Sequence, residues 1–152
     1  MSTAAKDQRP RAPRTPPLTP HDYEVLAEFR YVLMRFLAFS EDAAQQAGLA
    51  PRQHQALLAI KGYPGGAEVT IGDLAGRLGI RHHSAVGLVD RLVSGGYLAR
   101  REDSSDRRRI LLFLTAAGEQ ALAGLSTAHR QELRRVAPLL KSLLTRLGPP
   151  EV

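Results

Sequence analysis

The chain has 152 residues, no cysteine and a net charge of +6. This length suits one domain, or one domain with a tail, and the positive charge favours a polyanionic partner. The lack of cysteine excludes a disulfide, a cysteine-based zinc site and a thiol redox switch. No apolar run approaches the roughly 18 residues of a membrane span. No signal-peptide pattern is present either, so we expect a cytoplasmic protein without membrane contact.

Residues 1–19 predict a disordered arm, because they are basic, proline-rich and poor in core residues. Two interpretations remain open for this arm: an uninvolved solvated tail, or a segment that adds contacts to phosphate groups.

A long helix is predicted over His21–Ala47, between Pro20 and Gly48. Its apolar residues form two lines on different sides, so it must be buried on two sides, the second of them against another subunit. The first line is Leu26, Phe29, Leu33, Phe36 and Leu37, and the second is Val25, Val32 and Phe39.

Three shorter helices are predicted next along the chain. Pro51 begins the first, which ends at Gly62. Thr70 caps the second, with Asp73 completing a capping box, and Gly79 makes the turn after Leu78. The third runs from about Arg81 to Ser94. The residues of these helices that we expect to face the protein core are Leu57, Leu58, Ile60, Leu74, Ala75, Leu78, Ala85, Leu88, Val89 and Leu92.

Two short strands, Tyr97–Glu102 and Arg109–Leu114, predict a β-hairpin with the tip Asp103–Arg109. Ile110, Leu112 and Leu114 share one face of it. Two helices joined by a glycine and followed by a basic hairpin are the layout of a winged helix-turn-helix. The predicted fold class is therefore mainly α with a small β-hairpin wing.

Two helices are predicted after the hairpin, one from Thr115 to about Val136 and one from Pro138 to Leu147. Their apolar stripe either meets a partner or folds onto its own domain. It contains Val136, Leu139, Leu140, Leu143, Leu144 and Leu147.

The helix of Arg81–Ser94 carries the candidate base-reading residues. The N-terminal residues of a recognition helix reach base edges, where His82, His83 and Ser84 can form hydrogen bonds and Val86 can meet a thymine methyl group. Without a side chain, Gly87 lets the backbone approach closely. The alternative is an ordinary solvated face. The DNA-binding residues predicted on this helix are Arg81, His82, His83, Ser84, Val86, Gly87 and Arg91, the last of which contacts phosphate.

The hairpin tip carries three consecutive arginines, Arg107, Arg108 and Arg109. Asp106 can hold a neighbouring guanidinium by a charge-assisted pair, and an arginine oriented in this way can enter a narrow minor groove. The alternative is a solvated charged loop. The position of the tip just after the candidate recognition helix favours DNA contact.

His82 and His83 also invite a metal hypothesis, with His54 or His129 as further ligands. Neighbouring helical residues diverge by about 100°, which disfavours chelation of one ion, so no metal or cofactor is predicted. Imidazole protonation near the unperturbed pKa of about 6.5 remains a hypothesis for pH-dependent DNA affinity. No motif of an enzyme is present, so the protein is not predicted to be an enzyme and no catalytic residue is assigned.

Four motifs in register resemble the MarR family of bacterial transcription regulators: Leu74-Ala75 with Leu78-Gly79, Val89–Leu92, Gly96–Arg100 and Asp106–Thr115. The resemblance implies a homodimer joined by the first helix and the last two helices. It also implies repression at a pseudo-palindromic double-stranded operator, released by a small, often aromatic or phenolic, ligand. The Asp-x-Arg motif of the family falls on Asp106 and Arg108, with Arg108 in the minor groove and Asp106 orienting it.

The resemblance divides the chain into a winged helix-turn-helix, residues 51–114, and a helical dimerisation region, residues 20–50 and 115–148. Arg81 and Gly87 depart from the family pattern, so the base preference does not transfer. No motif anchors the ligand pocket, although Arg30, Tyr31, His54 and Tyr63 lie in segments that could line it. A winged-helix protein-interaction module without specific DNA binding is the alternative function.

Overall fold

The computed structural model describes residues 17–148, so most of the predicted arm, residues 1–16, lies outside the described residues. Five α-helices, one short 3-10 helix (Pro64–Gly66) and three short strands lie in this part of the chain, and no helix in it is long and apolar enough to cross a membrane. The mainly α fold with a small wing is confirmed. In chain order the elements are α1 (Pro20–Gln46), α2 (Pro51–Lys61), β1 (Val69–Thr70), α3 (Ile71–Leu78), α4 (His82–Ser94), β2 (Leu98–Glu102), β3 (Ile110–Leu114) and α5 (Ala116–Arg146).

Helices α1 and α3 begin at equivalent capping boxes. The Thr70 hydroxyl accepts the Asp73 N–H at 3.2 Å, and the Asp73 carboxylate accepts the Thr70 N–H at 2.9 Å. Thr19 and Asp22 repeat the arrangement at the start of α1. Each box satisfies backbone donors that the first helical turn leaves unpaired. The capping box predicted at Thr70 is confirmed.

The sheet contains one strand more than the predicted hairpin. Its three antiparallel strands lie in the order β1-β3-β2, with Val69 opposite Leu112. A two-residue strand is too short to show an alternating pattern, which is why the sequence did not reveal β1. Leu111 and Leu112 are both buried although they point to opposite faces, as a central strand requires. Ile110, Leu112 and Leu114 share one face of β3, as predicted, and Leu111 on the other face is buried as well.

Two apolar clusters hold the helices together, and α5 contributes to both. The larger cluster joins α2, α3, α4, the sheet and the first half of α5, where Leu122 and Leu125 lie. The smaller cluster joins α1 to the second half of α5 through Val25, Val32, Val136 and Leu143, with Phe29 and Leu140 packed against it.

The C-terminal segment is one helix, not the two predicted. Pro138 lies inside α5, which continues from Ala116 to Arg146. A proline lacks the N–H that would bond to the carbonyl of Arg134, but its fixed φ is helical. Both residues are exposed, so water can satisfy that carbonyl and the helix continues.

Two predictions of core positions were also wrong. In α2, Leu58 is exposed, and His54 and Ala56 are buried together with Leu57 and Ile60. In α1, the buried side follows Val25, Phe29, Val32 and Phe36 at i, i+4, i+7 and i+11, so the two phenylalanines belong with the valines. The exposed apolar side of α1 contains Leu26, Leu33 and Leu37.

The start of α5 is attached tightly to the end of α4. The Thr115 hydroxyl accepts the Gly118 N–H at 3.1 Å and donates to the Gly96 carbonyl at 2.5 Å. A Cβ atom on Gly118 would lie 2.2 Å from the Tyr97 carbonyl oxygen, closer than real atoms approach. Glycine is therefore required at this contact for steric reasons.

Candidate nucleic-acid interface

Helix α4, the candidate recognition helix, presents its N-terminal turn to solvent. Its predicted buried residues, Ala85, Leu88, Val89 and Leu92, are all buried, which confirms the core pattern. Gly79, with φ 63°, makes the left-handed turn that separates α3 from α4. The exposed residues at the start of α4 are Arg81, His82, His83 and Ser84.

Arg81 occupies the N-cap of α4 with extended backbone, and its side chain makes no capping hydrogen bond. The first amide groups of α4 are consequently not satisfied by a cap. Exposed amides at a helix N-terminus, together with the helix dipole, favour an anion such as a phosphate group. The first turn of α4 therefore combines unpaired donors with cationic and titratable side chains.

The remaining predicted residues of α4 differ in exposure. Val86 is half-buried and lines a groove with Ile71 and Ile110, so part of its surface faces the protein. A Cβ atom on Gly87 would lie 3.6 Å from the Arg91 Nη1 atom, an ordinary contact, so the subunit itself does not require glycine there. Arg91 is exposed.

The wing tip is organised by Asp103, a residue that was not among the predicted site residues. It is 6% exposed, and its carboxylate accepts the Ser105 N–H at 2.8 Å and the Ser105 hydroxyl at 2.8 Å. It also binds the Arg109 Nη1 atom at 2.9 Å. The hydrogen bonds from Ser105, and then the charge of Arg109, hold the pKa of Asp103 below its usual 3.8, so the carboxylate is ionised at neutral pH.

Asp106 binds backbone instead of a guanidinium group. Its carboxylate accepts the Arg108 N–H at 3.0 Å, and its carbonyl accepts the Arg109 N–H at 2.9 Å. The predicted charge-assisted pair of Asp106 with a neighbouring arginine was wrong, because Asp103 holds the arginine of the tip. The short side chain of Asp106 reaches the amide two residues on, the usual geometry of an Asx turn.

Arg108, Arg109 and His82 lie around one groove of about 350 Å³ between the wing, the start of α3 and the start of α4. No ion pair between residues 17–148 involves Arg107 or Arg108. The structure thus brings three predicted site residues together and leaves the guanidinium group of Arg108 available to a ligand. Arg107 is exposed on the turn beside them.

Two further arginines attach the wing to its surroundings. Arg100 on β2 forms an ion pair with Asp90 on α4. The Arg101 guanidinium lies 4.3 Å from the centroid of the Phe113 ring and 3.3 Å from the Glu68 carboxylate. The sequence offered no signal for these contacts, because the partners are distant in the chain and many acidic residues could have been chosen. The Arg100 pair joins the wing to α4, whereas the Arg101 contacts join β2 to β3 and to the residue before β1.

An apolar surface lies away from this interface, on α1 and the second half of α5. Its large side chains are exposed in the single chain and occupy positions on both helices. They are Tyr23, Leu26, Leu33, Met34, Leu37, Leu133, Leu139, Leu144 and Leu147, which together we call the α1–α5 face.

A cavity of about 400 Å³ lies between α2 and α5. Of the four residues whose segments could line a ligand pocket, His54 lines this cavity, and Arg30, Tyr31 and Tyr63 do not. Among the described residues, no group of three or more histidine or acidic side chains is arranged to hold a metal ion. The lining residues are His54, Leu58, Ser126, His129, Arg130, Leu133, Arg134 and Ala137.

Comparisons with known proteins find a family model, a curated relative and solved structures that are similar to this chain. Residues 47–109 match the model of the MarR family. The HTH-type transcriptional regulator YcgE of Bacillus subtilis is 32% identical over 97 residues, which are 64% of this chain and 61% of that protein. The match therefore spans less than two thirds of that relative.

Solved structures share the fold. The transcriptional regulator Tm0710 from Thermotoga maritima has a TM-score of 0.61 at 25% identity, covering 82% of this chain and 89% of its own. A mutant MarR from E. coli, complexed with operator DNA, has a TM-score of 0.60 at 21% identity, and the match covers 83% of this chain and 94% of that one.

Proposed function

We propose that the chain is a member of the MarR family, whose model matches residues 47–109, and that it is a dimeric, sequence-specific DNA-binding repressor. A small ligand lowers its affinity for a pseudo-palindromic operator. The observation that carries the proposal is the groove in which His82, Arg108 and Arg109 meet, beside the uncapped N-terminus of α4. Arginine side chains at the groove and uncapped amide donors beside it favour the phosphate groups and groove edge of a nucleic acid.

The residues of the site have different proposed roles. His82, His83 and Ser84 lie at the end of α4 that reads base edges in the major groove, with Val86 and Gly87 one turn further on. Arg81, Arg91 and Arg107 contact phosphate groups. Arg108 enters the minor groove, because its guanidinium is unpaired within the described part of the chain while its backbone is held by Asp106. Arg109, paired with Asp103, orders the loop and contributes charge.

A homodimer is proposed from the α1–α5 face. Nine large apolar side chains of two packed helices are exposed on this face, and a second copy of the chain would cover them symmetrically. A two-fold axis through this face would present two copies of α4 to successive major grooves, which matches a pseudo-palindromic site.

The cavity between α2 and α5 is proposed as the effector site. Helix α2 belongs to the larger apolar cluster, together with α4, whereas the second half of α5 belongs to the smaller one. A ligand bound between them would alter the position of the winged region relative to the dimer. It would thereby change the spacing of the two recognition helices, which operator binding requires.

The DNA-binding role is tested with Arg108→Ala and the control Arg52→Ala, which removes the same charge from an exposed site on α2. Affinity is measured by a shift assay on DNA that flanks the gene and on scrambled DNA. Loss of Arg108 should cost about 1–3 kcal/mol of operator binding, and loss of Arg52 should cost little. The salt slope should fall by about 0.9 for each phosphate group that the variant no longer neutralises.

Equal binding by the two variants would refute the role of Arg108. Salt-sensitive binding without preference for the flanking DNA would refute the repressor and support the protein-interaction module instead.

A further inference from the structure

Two histidine rings meet where three helices join. His54 on α2 and His129 on α5 have their ring centroids 4.8 Å apart, with the planes inclined by 36°. Phe36 and Phe39 of α1 lie edge-on to the His129 ring, at centroid distances of 6.0 Å and 5.6 Å. Because α2 belongs to the larger apolar cluster and α1 to the smaller one, the histidine pair lies where the two clusters are connected.

The hydrogen bonds of His129 suit a neutral ring. Its Nδ1 atom is 2.6 Å from the Leu125 carbonyl, which can only accept, so Nδ1 carries a hydrogen. Its Nε2 atom is 2.7 Å from the Ser40 hydroxyl, which donates to it when the ring is neutral. A proton on Nε2 would reverse this second bond, since Nε2 would then have to donate.

The ring of His54 has no neighbour that would stabilise a charge on it. The residue is 3% exposed, and no hydrogen bond among residues 17–148 involves its ring. Burial and then the charge of His129 hold the pKa of His54 below its usual 6.5, so the ring is neutral at pH 7. The contact between the two rings is therefore a contact of neutral groups.

The charged groups around the pair do not favour a proton on it. Arg130 and Arg134 of α5 lie beside the two rings, and no acidic residue lines the cavity there. The α1 residues that contact His129 do not titrate near neutral pH. The carboxylate of Glu132, three residues further along α5, is held by Arg135 at 2.9 Å and 2.6 Å, and the charge of Arg35 on α1 also acts on it. A proton on either histidine thus adds positive charge beside two arginines.

We propose that the contact between His54 and His129 is a pH-sensitive switch: acid charges the pair, α2 separates from α5, and the operator is released. Charged histidine pairs are known to open packed interfaces in this way. Because α2 and α4 share one apolar cluster, the recognition helix moves together with α2. The effector is the proton itself, and only the last step rests on the operator binding proposed above.

The direction of the pH effect follows from the protons bound in each state. In the closed contact the pKa of His54 lies below 6.5 because the ring is buried, and in the open contact water restores the pKa towards 6.5. The closed state is therefore fully favoured above pH 6.5, and it loses this advantage as pH falls from there through the lower pKa. Each unit of difference between the two pKa values shifts the ratio of open to closed molecules about tenfold.

The separation of α2 from α5 is measured directly with spin labels. The chain has no cysteine, so Arg52→Cys on α2 and Gln131→Cys on α5, both at exposed positions, give two specific attachment sites. The labelled chain is mixed with excess unlabelled chain, so that an assembly holds at most one labelled copy. Double electron–electron resonance at about pH 8 and about pH 5.5 should show a longer distance between the labels in acid.

A variant and its control assign this change to the histidine pair. His54→Phe keeps an aromatic ring beside His129 and cannot take up a proton, so its label distance should be the same at both pH values. His21→Gln, at an exposed histidine of α1, should keep the change. NMR titration of the unsubstituted chain is a test that does not depend on how a variant folds. Its His54 ring should titrate below 6.5, in step with the backbone amides of α2.

The link to the operator is tested at the same two pH values with the unsubstituted chain and His54→Phe. Protonation of the exposed His82 and His83 on α4 affects both proteins equally, so the ratio of their operator affinities isolates the effect of the pair. The unsubstituted chain should lose about threefold to tenfold in affinity relative to the variant when the pH is lowered.

An unchanged label distance in acid, or a change that His54→Phe retains, would overturn the switch. A longer distance with a constant ratio of affinities would overturn its link to the operator. A chain whose label distance responds to pH but that binds no operator at either pH would refute the repressor and leave the switch. Operator binding with a fixed label distance would refute the switch and leave the repressor.

Discussion

The winged region and the α1–α5 region bury their apolar residues to different extents within one subunit. The winged region has a core drawn from α2, α3, α4, the sheet and the first half of α5, and its outer surface carries arginine and histidine. The α1–α5 region has a core of four small or branched residues, and its outer surface exposes large apolar side chains among charged ones. The first region is complete in one chain, whereas the second has the composition of half a core. A single sequence thus contains one surface suited to a polyanion and one suited to a copy of itself.

The largest effect is expected from Leu37→Glu on the α1–α5 face, where Leu37 is 58% exposed in the single chain. If a second copy covers this face, the new carboxylate must lose water without a partner, at a cost of about 3 kcal/mol or more. Sedimentation equilibrium should show the dimer dissociation constant rising by at least about a hundredfold. Ala99→Glu adds the same charge to an exposed site on β2 and should leave the dimer intact. Similar behaviour of both variants would contradict the proposed interface.

An intermediate effect is expected from Gly118→Ala, where α5 meets the winged region. The added methyl group would overlap the Tyr97 carbonyl oxygen and must displace that backbone, so the free energy of unfolding should fall by about 1–3 kcal/mol. Gly124→Ala is the matched control on the same helix, because nothing lies within 4 Å of its added Cβ atom. It should stabilise the protein by up to about 1 kcal/mol through helix propensity. Urea unfolding that ranked the two variants in the opposite order would show that the contact at Gly118 is not close.

The smallest effect is expected from Asp103→Asn in the wing, a change that keeps the shape of the side chain and removes its charge. Without the ion pair to Arg109, the tip should be less ordered, and operator affinity should fall by about threefold to tenfold. Hydrogen exchange at the Ser105 amide, measured by NMR, should become faster. The control Asp42→Asn alters an exposed carboxylate of α1 and should change neither quantity.

The pKa of Asp103 also sets the pH range of this contact. Because hydrogen bonds from Ser105 and the charge of Arg109 lower that pKa below 3.8, the contribution of Asp103 to stability is complete above 3.8. It is lost as pH falls through the lower pKa of the folded state. Protection of the Ser105 amide should therefore be constant near neutral pH and decline only in strong acid.

Much of the winged region could be predicted because its signals are local. The capping box at Thr70, the left-handed turn at Gly79 and the buried spacing from Ala85 to Leu92 each depend on residues within about two helical turns. The site was less predictable. His82, Arg108 and Arg109 were expected at the interface and do meet at one groove, but their contacts with DNA stay a prediction. Asp103 was missed because nothing local distinguishes it from Asp106 as the partner of an arginine.

By itself, the sequence determined the order and the kind of the helices, the wing, and the surplus of apolar residues in α1 and the C-terminal segment. These follow from periodicity, capping and composition, which act over short stretches of chain. Only the tertiary structure decided that β1 joins the sheet, that α5 continues through Pro138, and that His54 lies beside His129 at the edge of a cavity. Each of these depends on which distant segment packs nearby and on which polar groups remain in contact with water, and neither is set by neighbours in the chain.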